Sequence, residues 1–115
     1  ERVAETLKSS ILQCIFRHVE ADRCLVVLFG SRATGDARPT SDVDLAISCS
    51  PPLSTDTWAR LRRVLNEDLP TLRKVDLVNL DRLEDTALVQ QILKEGRIWH
   101  RGKHYRGKFT FLDVR

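Results

Sequence analysis

Apolar side chains recur at Val3, Leu7, Ile11, Cys14, Ile15 and Val19. This three- and four-residue spacing predicts a helix over residues 3–19, with Lys8, Gln13, Arg17 and Glu20 toward water. A turn at Ala21-Asp22-Arg23 leads into Cys24–Phe29, an unbroken apolar run of strand length that reads as a buried strand and stops at Gly30. The polar loop over residues 33–41 holds the turn formers Gly35, Asp36 and Pro39. A second strand is expected over residues 42–49, closed by Ser50-Pro51-Pro52, which cannot continue a ladder. Thr55 or Asp56 is the expected cap of a helix with apolar positions Trp58, Leu61, Val64 and Leu65, ending before Pro70. Residues 74–80 read as a third strand with Val75 and Leu77 on one side and Asp76 on the other. Asp85 caps a last helix built on Leu88, Val89, Ile92 and Leu93, with Gly96 as its stop, and residues 97–100 suit a short edge strand. From Arg101 the text turns basic and glycine-containing, and no periodicity assigns it an element.

The candidate chemistry sits in residues 25–48, LVVLFGSRATGDARPTSDVDLAIS. Alternation along a strand puts Asp42 and Asp44 on one face, with Val43, Leu45 and Ile47 on the other. Neighbouring carboxylates repel unless a cation lies between them. Asp76 also interrupts an apolar strand, where aspartate is disfavoured. Strands in a sheet lie about 4.8 Å apart, so if the second and third strands are neighbours the three acids can meet. Such hard oxygen donors suit magnesium, and a pair of ions would clamp an in-line displacement at phosphorus. Gly30 directly after a strand lets the backbone approach a ligand, and the following N–H groups favour phosphate. Ser31 adds a hydroxyl donor and Arg32 a cation. Taken singly, a Gly-Ser after a strand is a turn and Asp42 is a cap; the combination of three acids on facing strands is what points to a site.

Composition changes this picture little. One domain fits 115 residues, with ordinary apolar and charged fractions and a formal charge of +3. That charge permits an anionic substrate without announcing a nucleic-acid binder. No run approaches a membrane span and no signal peptide opens the chain, so a cytoplasmic location is expected. Cys14, Cys24 and Cys49 are odd in number and lie in apolar runs, so three buried free thiols are expected rather than a disulfide or a zinc site. With no methionine present, Glu1 is not expected to be the translated start.

Gly30-Ser31, ten intervening residues, then Asp42-Val43-Asp44 resembles the G-S-x10-D-x-D signature of the polymerase β-like nucleotidyltransferase superfamily. Asp76 in KVDLV matches its third carboxylate, and the size is similar to the minimal nucleotidyltransferases. The resemblance spans roughly residues 24–100. It implies an α+β, two-layer fold, in which a small mixed β-sheet has helices packed on one face. It divides the chain into a transferase domain over 1–100 and a basic tail over 101–115. It further implies that Asp42, Asp44 and Asp76 bind two Mg²⁺ ions and carry catalysis, while Gly30 and Ser31 hold the triphosphate; Arg32, read from its charge alone, is expected to join them in binding the nucleotide. The expected activity is transfer of a nucleoside monophosphate, AMP from ATP, to a hydroxyl acceptor.

The assigned elements leave little chain to grip an acceptor, so a second chain should supply it. By the same resemblance, that chain is a HEPN-type helical partner, with this chain acting as antitoxin in a homodimer or heterotetramer. The alternative is a nucleotide-binding protein that neutralises its partner by contact without catalysis. A third reading, nucleic-acid binding through Arg97, Arg101, Lys103, Arg106 and Lys108 with Tyr105, is not favoured, because a basic terminus is more often solvated or partner-facing. His100 and His104 are expected at the surface rather than as a metal pair, since a glycine between them disfavours a helix.

Overall fold

The computed structural model describes residues 3–35, 42–67, 69 and 74–109. The expected positions of Asp36, Pro39 and Pro70, and of the last residues of the basic tail (110–115), lie outside the described residues. Helix α1 (Glu5–Phe16) precedes β1 (Cys24–Phe29), a single helical turn α2 (Ser31–Thr34) and β2 (Val43–Cys49). Helix α3 (Thr55–Glu67), β3 (Val75–Asn79), α4 (Thr86–Glu95) and β4 (Arg97–Arg101) complete the order, with 3₁₀ turns at Ala21–Arg23 and Leu80–Arg82. Helix α1 is shorter than its apolar spacing predicted. Val3 and Val19 still pack on the core, but from the flanks of the helix rather than within it.

The four strands form one mixed sheet in the order β3-β2-β1-β4. β1 runs antiparallel to both β2 and β4, whereas β2 and β3 are parallel. A parallel pair needs a crossover, and α3 supplies it. Strand alternation then sorts the sheet into two faces. Val26, Leu28, Val43, Leu45, Ile47, Val75 and Leu77 meet α1 and α3 in the larger core, which is the helix-covered face expected of this fold class. Leu25, Val27, Phe29 and Ala46 point the other way, onto Ile92 of α4 and onto Leu80, Tyr105 and Phe109. Asp85 accepts from the Leu88 N–H at 3.1 Å as the expected cap of α4. Helix α3 is capped one residue earlier than expected: Ser54 Oγ accepts from the Thr57 N–H at 3.2 Å. No helix among the described residues is long and apolar enough to cross a membrane.

Two expectations are corrected. Cys24 and Cys49 form a disulfide, and Cys14 is buried outside that bridge. The two are direct antiparallel partners on β1 and β2, with Cα atoms 4.2 Å apart. Their separation of 25 residues in sequence concealed this register.

The stretch after Arg101, given no element from the sequence and expected to be solvated or partner-facing, packs onto the fold at Tyr105 and Phe109. Tyr105 is 1 % exposed and Phe109 8 %. Ser48 Oγ donates to Asp81 Oδ1 at 2.6 Å and lies 2.7 Å from the Tyr105 hydroxyl. A serine hydroxyl has one proton, already given to Asp81, so Tyr105 is the donor to Ser48. Its oxygen in turn accepts the Phe109 N–H at 3.2 Å, and Asp81 Oδ2 accepts the Cys49 N–H at 2.9 Å. Burial pushes the Tyr105 ionisation above the ordinary phenol range, which keeps it a neutral donor.

Tyr105→Phe should therefore lower stability by about 1–3 kcal/mol, because the Phe109 N–H and Ser48 lose their partner in a buried site. Urea unfolding checks this; an unchanged midpoint would refute the role given to the hydroxyl.

Candidate active site

The sheet register decides which acids meet. β2 and β3 pair with Val43 opposite Val75, Asp44 opposite Asp76 and Leu45 opposite Leu77. The valines and leucines are buried in the larger core. Asp44 and Asp76 therefore project together from the opposite face, near the start of both strands. Asp42 lies just before β2 and is exposed.

Electrostatics ties the three together. The Asp44 carboxyl is held above the ordinary carboxylate range, first by burial, then by the negative charges of Asp76 and Asp42, with Arg32 and Lys74 pulling the other way. Lys74 Nζ stands 3.3 Å from Asp76 Oδ1. Among the described residues, no three His, Cys, Asp or Glu side chains are gathered closely enough to form a metal cluster. Asp44 and Asp76 are direct partners in the sheet register, and Asp42 lies within electrostatic reach of Asp44.

Gly30 forms the other wall. It lies between β1 and α2 with φ 74° and ψ −158°, a region essentially confined to glycine. A Cβ there would run into the Asp44 carboxylate. Phe29 is the direct β1 partner of Asp44, so the corner brings Gly30 against the acid as well as turning the chain. Ser31 opens the single turn of α2. Arg32 is only 5 % exposed, and its Nε donates to the Asp42 main-chain oxygen at 3.2 Å. This bond ties α2 to the entry of β2.

The donor set suits a hard divalent cation. Two in-register carboxylates, Asp44 with its pKa raised by burial and then by its acidic neighbours, supply oxygen ligands of the kind magnesium takes with a few waters and phosphate oxygens.

Sequence reasoning missed Lys74, and also Asn66 of α3, whose Oδ1 accepts the Val75 N–H at 3.2 Å. Lys74 directly precedes the V-D-L run, and its position beside the third acid was available as a signal. Asn66 had none, because it reaches β3 only through the fold. Of the residues in the nucleic-acid reading, Arg97, Lys103, Arg106 and Lys108 are exposed, but the Tyr105 ring is buried and unable to stack on a base. His104 is exposed, while His100 is partly buried, its Nε2 2.8 Å from the Ala21 carbonyl oxygen.

Compared with known families, residues 15–103 match the model described as polymerase beta, nucleotidyltransferase. The chain belongs to the polymerase β nucleotidyltransferase family. No curated protein matches it in sequence. Among solved structures, this nucleotidyltransferase is similar to a chain from a toxin–antitoxin crystal structure with AMP-PNP. The two share 26% identity and a TM-score of 0.67 over 84% of this chain and 74% of that one. It also shares the fold of a chain from the tri-AMPylated Shewanella oneidensis HEPN toxin in complex with MNT antitoxin (23% identity, TM-score 0.64, 86% and 73% covered). A chain from the toxin–antitoxin MntA-HepT shares it too (24% identity, TM-score 0.63, 87% and 74% covered).

Proposed function

We propose that this nucleotidyltransferase moves AMP from ATP onto a hydroxyl of a HEPN-type partner and so serves as the antitoxin of a toxin–antitoxin pair. The observation that carries the chemistry is the in-register pair Asp44–Asp76 beside the Gly30 corner. The partner and the nucleotide are supported by the similar structures, which are a toxin–antitoxin with AMP-PNP and an AMPylated HEPN toxin with its MNT antitoxin.

In this reading Asp42, Asp44 and Asp76 are the residues that would hold two Mg²⁺ ions. When bound, the ions lower the pKa of the acceptor hydroxyl and neutralise charge growing on the leaving group. Gly30, Ser31 and Arg32 place the triphosphate. The acceptor oxygen forms a bond to the α-phosphorus as the bond to the bridging oxygen of the β-phosphate breaks. Pyrophosphate leaves with that electron pair, and the acceptor proton passes to solvent. The aspartates need only orient the reactants, because in-line phosphorus chemistry is governed by position and charge.

Incubation of the complex with Mg²⁺ and α-labelled ATP should label the partner, with a mass increase corresponding to AMP. Chelation of the metal should abolish the label. Labelling that persists in Asp42→Asn would remove the catalytic role given to this centre, whereas equal neutralisation of the partner by wild type and Asp44→Asn would favour neutralisation by contact.

A further inference from the structure

β3 is an edge strand, so half of its main-chain groups face away from β2. The Lys74 carbonyl faces β2, where it accepts the Val43 N–H at 3.0 Å. Alternation then turns the Val75 N–H outward, to the open edge. Asn66, in the last turn of α3, meets it there, accepting the Val75 N–H on Oδ1 at 3.2 Å. The amide is itself oriented, because Asn66 Nδ2 donates to the Arg62 carbonyl at 3.0 Å. One side chain thus joins the end of a core-packed helix to the residue immediately before Asp76.

We propose that Asn66 is a positioning residue for the third carboxylate of the transferase centre. The inference rests on the reading of Asp76 as a member of that centre. Asp76 needs such a tether for three reasons. Its strand is five residues long and, among the described residues, paired on one side only. Asp44, opposite, repels it, and Lys74 draws its carboxylate toward the strand entry. Helix α3 is anchored by Leu61, Val64 and Leu65, all in the larger core. A contact from its last turn therefore fixes the backbone of Val75 to a rigid body. Partners that hold a metal-binding carboxylate in place typically change metal affinity by about ten- to a hundredfold when removed.

The test measures Mn²⁺ binding with AMP-PNP by electron paramagnetic resonance, together with transfer kinetics and melting temperature. Asn66→Leu keeps the volume and removes the acceptor; Asn66→Asp keeps an acceptor oxygen for the Val75 N–H while giving up the donation to the Arg62 carbonyl. Asn66→Leu should raise the apparent Mn²⁺ dissociation constant about tenfold and lower kcat with little change in the acceptor KM. Asn66→Asp should recover most of that loss, to within about threefold of wild type. Mn²⁺ affinity unchanged in Asn66→Leu but lost in Asp76→Asn overturns the positioning role and leaves the transferase reading standing. Equal losses in both Asn66 variants that track their melting temperatures also overturn it, because the side chain would then serve the fold alone. Mn²⁺ affinity unchanged in Asp76→Asn overturns the reading of the centre, and this inference with it.

Discussion

Asp44→Asn should abolish nucleotidyl transfer, by on the order of a thousandfold or more, while leaving the protein at least as stable as the wild type at neutral pH. The first half follows from the several kcal/mol that metal-borne charge contributes to a phosphoryl transition state, each 1.36 kcal/mol being tenfold in rate. The second half follows from the environment of the carboxylate. Burial and the charges of Asp76 and Asp42 raise the Asp44 pKa above the ordinary aspartate value of 3.8. Between the unfolded and folded values the native state therefore holds a proton that the unfolded chain has released. By linkage, this group's contribution to stability falls as pH rises from about 3.8 through the folded pKa, then levels off. Asparagine is neutral throughout. The variant should thus match the wild type in acid and become relatively more stable as pH climbs through that window. Mg²⁺ should reverse the order at neutral pH by raising the wild-type melting temperature and leaving that of the variant nearly unmoved. Thermal scans across pH, with and without Mg²⁺, read all of this; a variant less stable than wild type at pH 7 without metal would refute the account of Asp44.

Much of that site was legible because its signals are local. The run Cys24–Phe29 is apolar at every position, and all six residues are buried in β1. The abrupt Gly30-Ser31 after it marked the corner. Asp44 and Asp76 stood out as acids inside strand patterns, and the parallel pairing of β2 with β3 puts them opposite one another. What the sequence hid depends on pairings with no periodic signature. The Cys24–Cys49 bridge needs the β1–β2 register. The contacts of Ser48 with Asp81 and Tyr105 join residues 33 and 57 positions apart. Those contacts turn a stretch that reads as basic tail into part of the second core, since Tyr105 and Phe109 contribute apolar rings while the cations around them remain outside. Asn66 was silent for the same reason: its partner is a main-chain N–H, and no residue type advertises that.

The second large effect is expected at the corner itself, where Gly30→Ala should impair both folding and transfer. Two separable costs arise there. The backbone at φ 74° and ψ −158° strains any residue with a Cβ by about 1–3 kcal/mol. The new methyl also meets the Asp44 carboxylate, so either the carboxylate moves or β1 and β2 shift in register at Phe29 and Asp44. A displacement of about 1 Å in a reacting group can reduce turnover by roughly a hundredfold. A double-mutant cycle with Asp44→Ala separates the two. In the Asp44→Ala background there is no carboxylate to strike, so Gly30→Ala should cost only its backbone strain. The single substitution should then be more destabilising than its counterpart in the double variant by about 1 kcal/mol or more, a coupling typical of residues in contact. Urea unfolding of the four proteins measures that coupling. Strict additivity would mean that Gly30 is required for its dihedral angles alone and that the glycine does not shape the space in which Asp44 works.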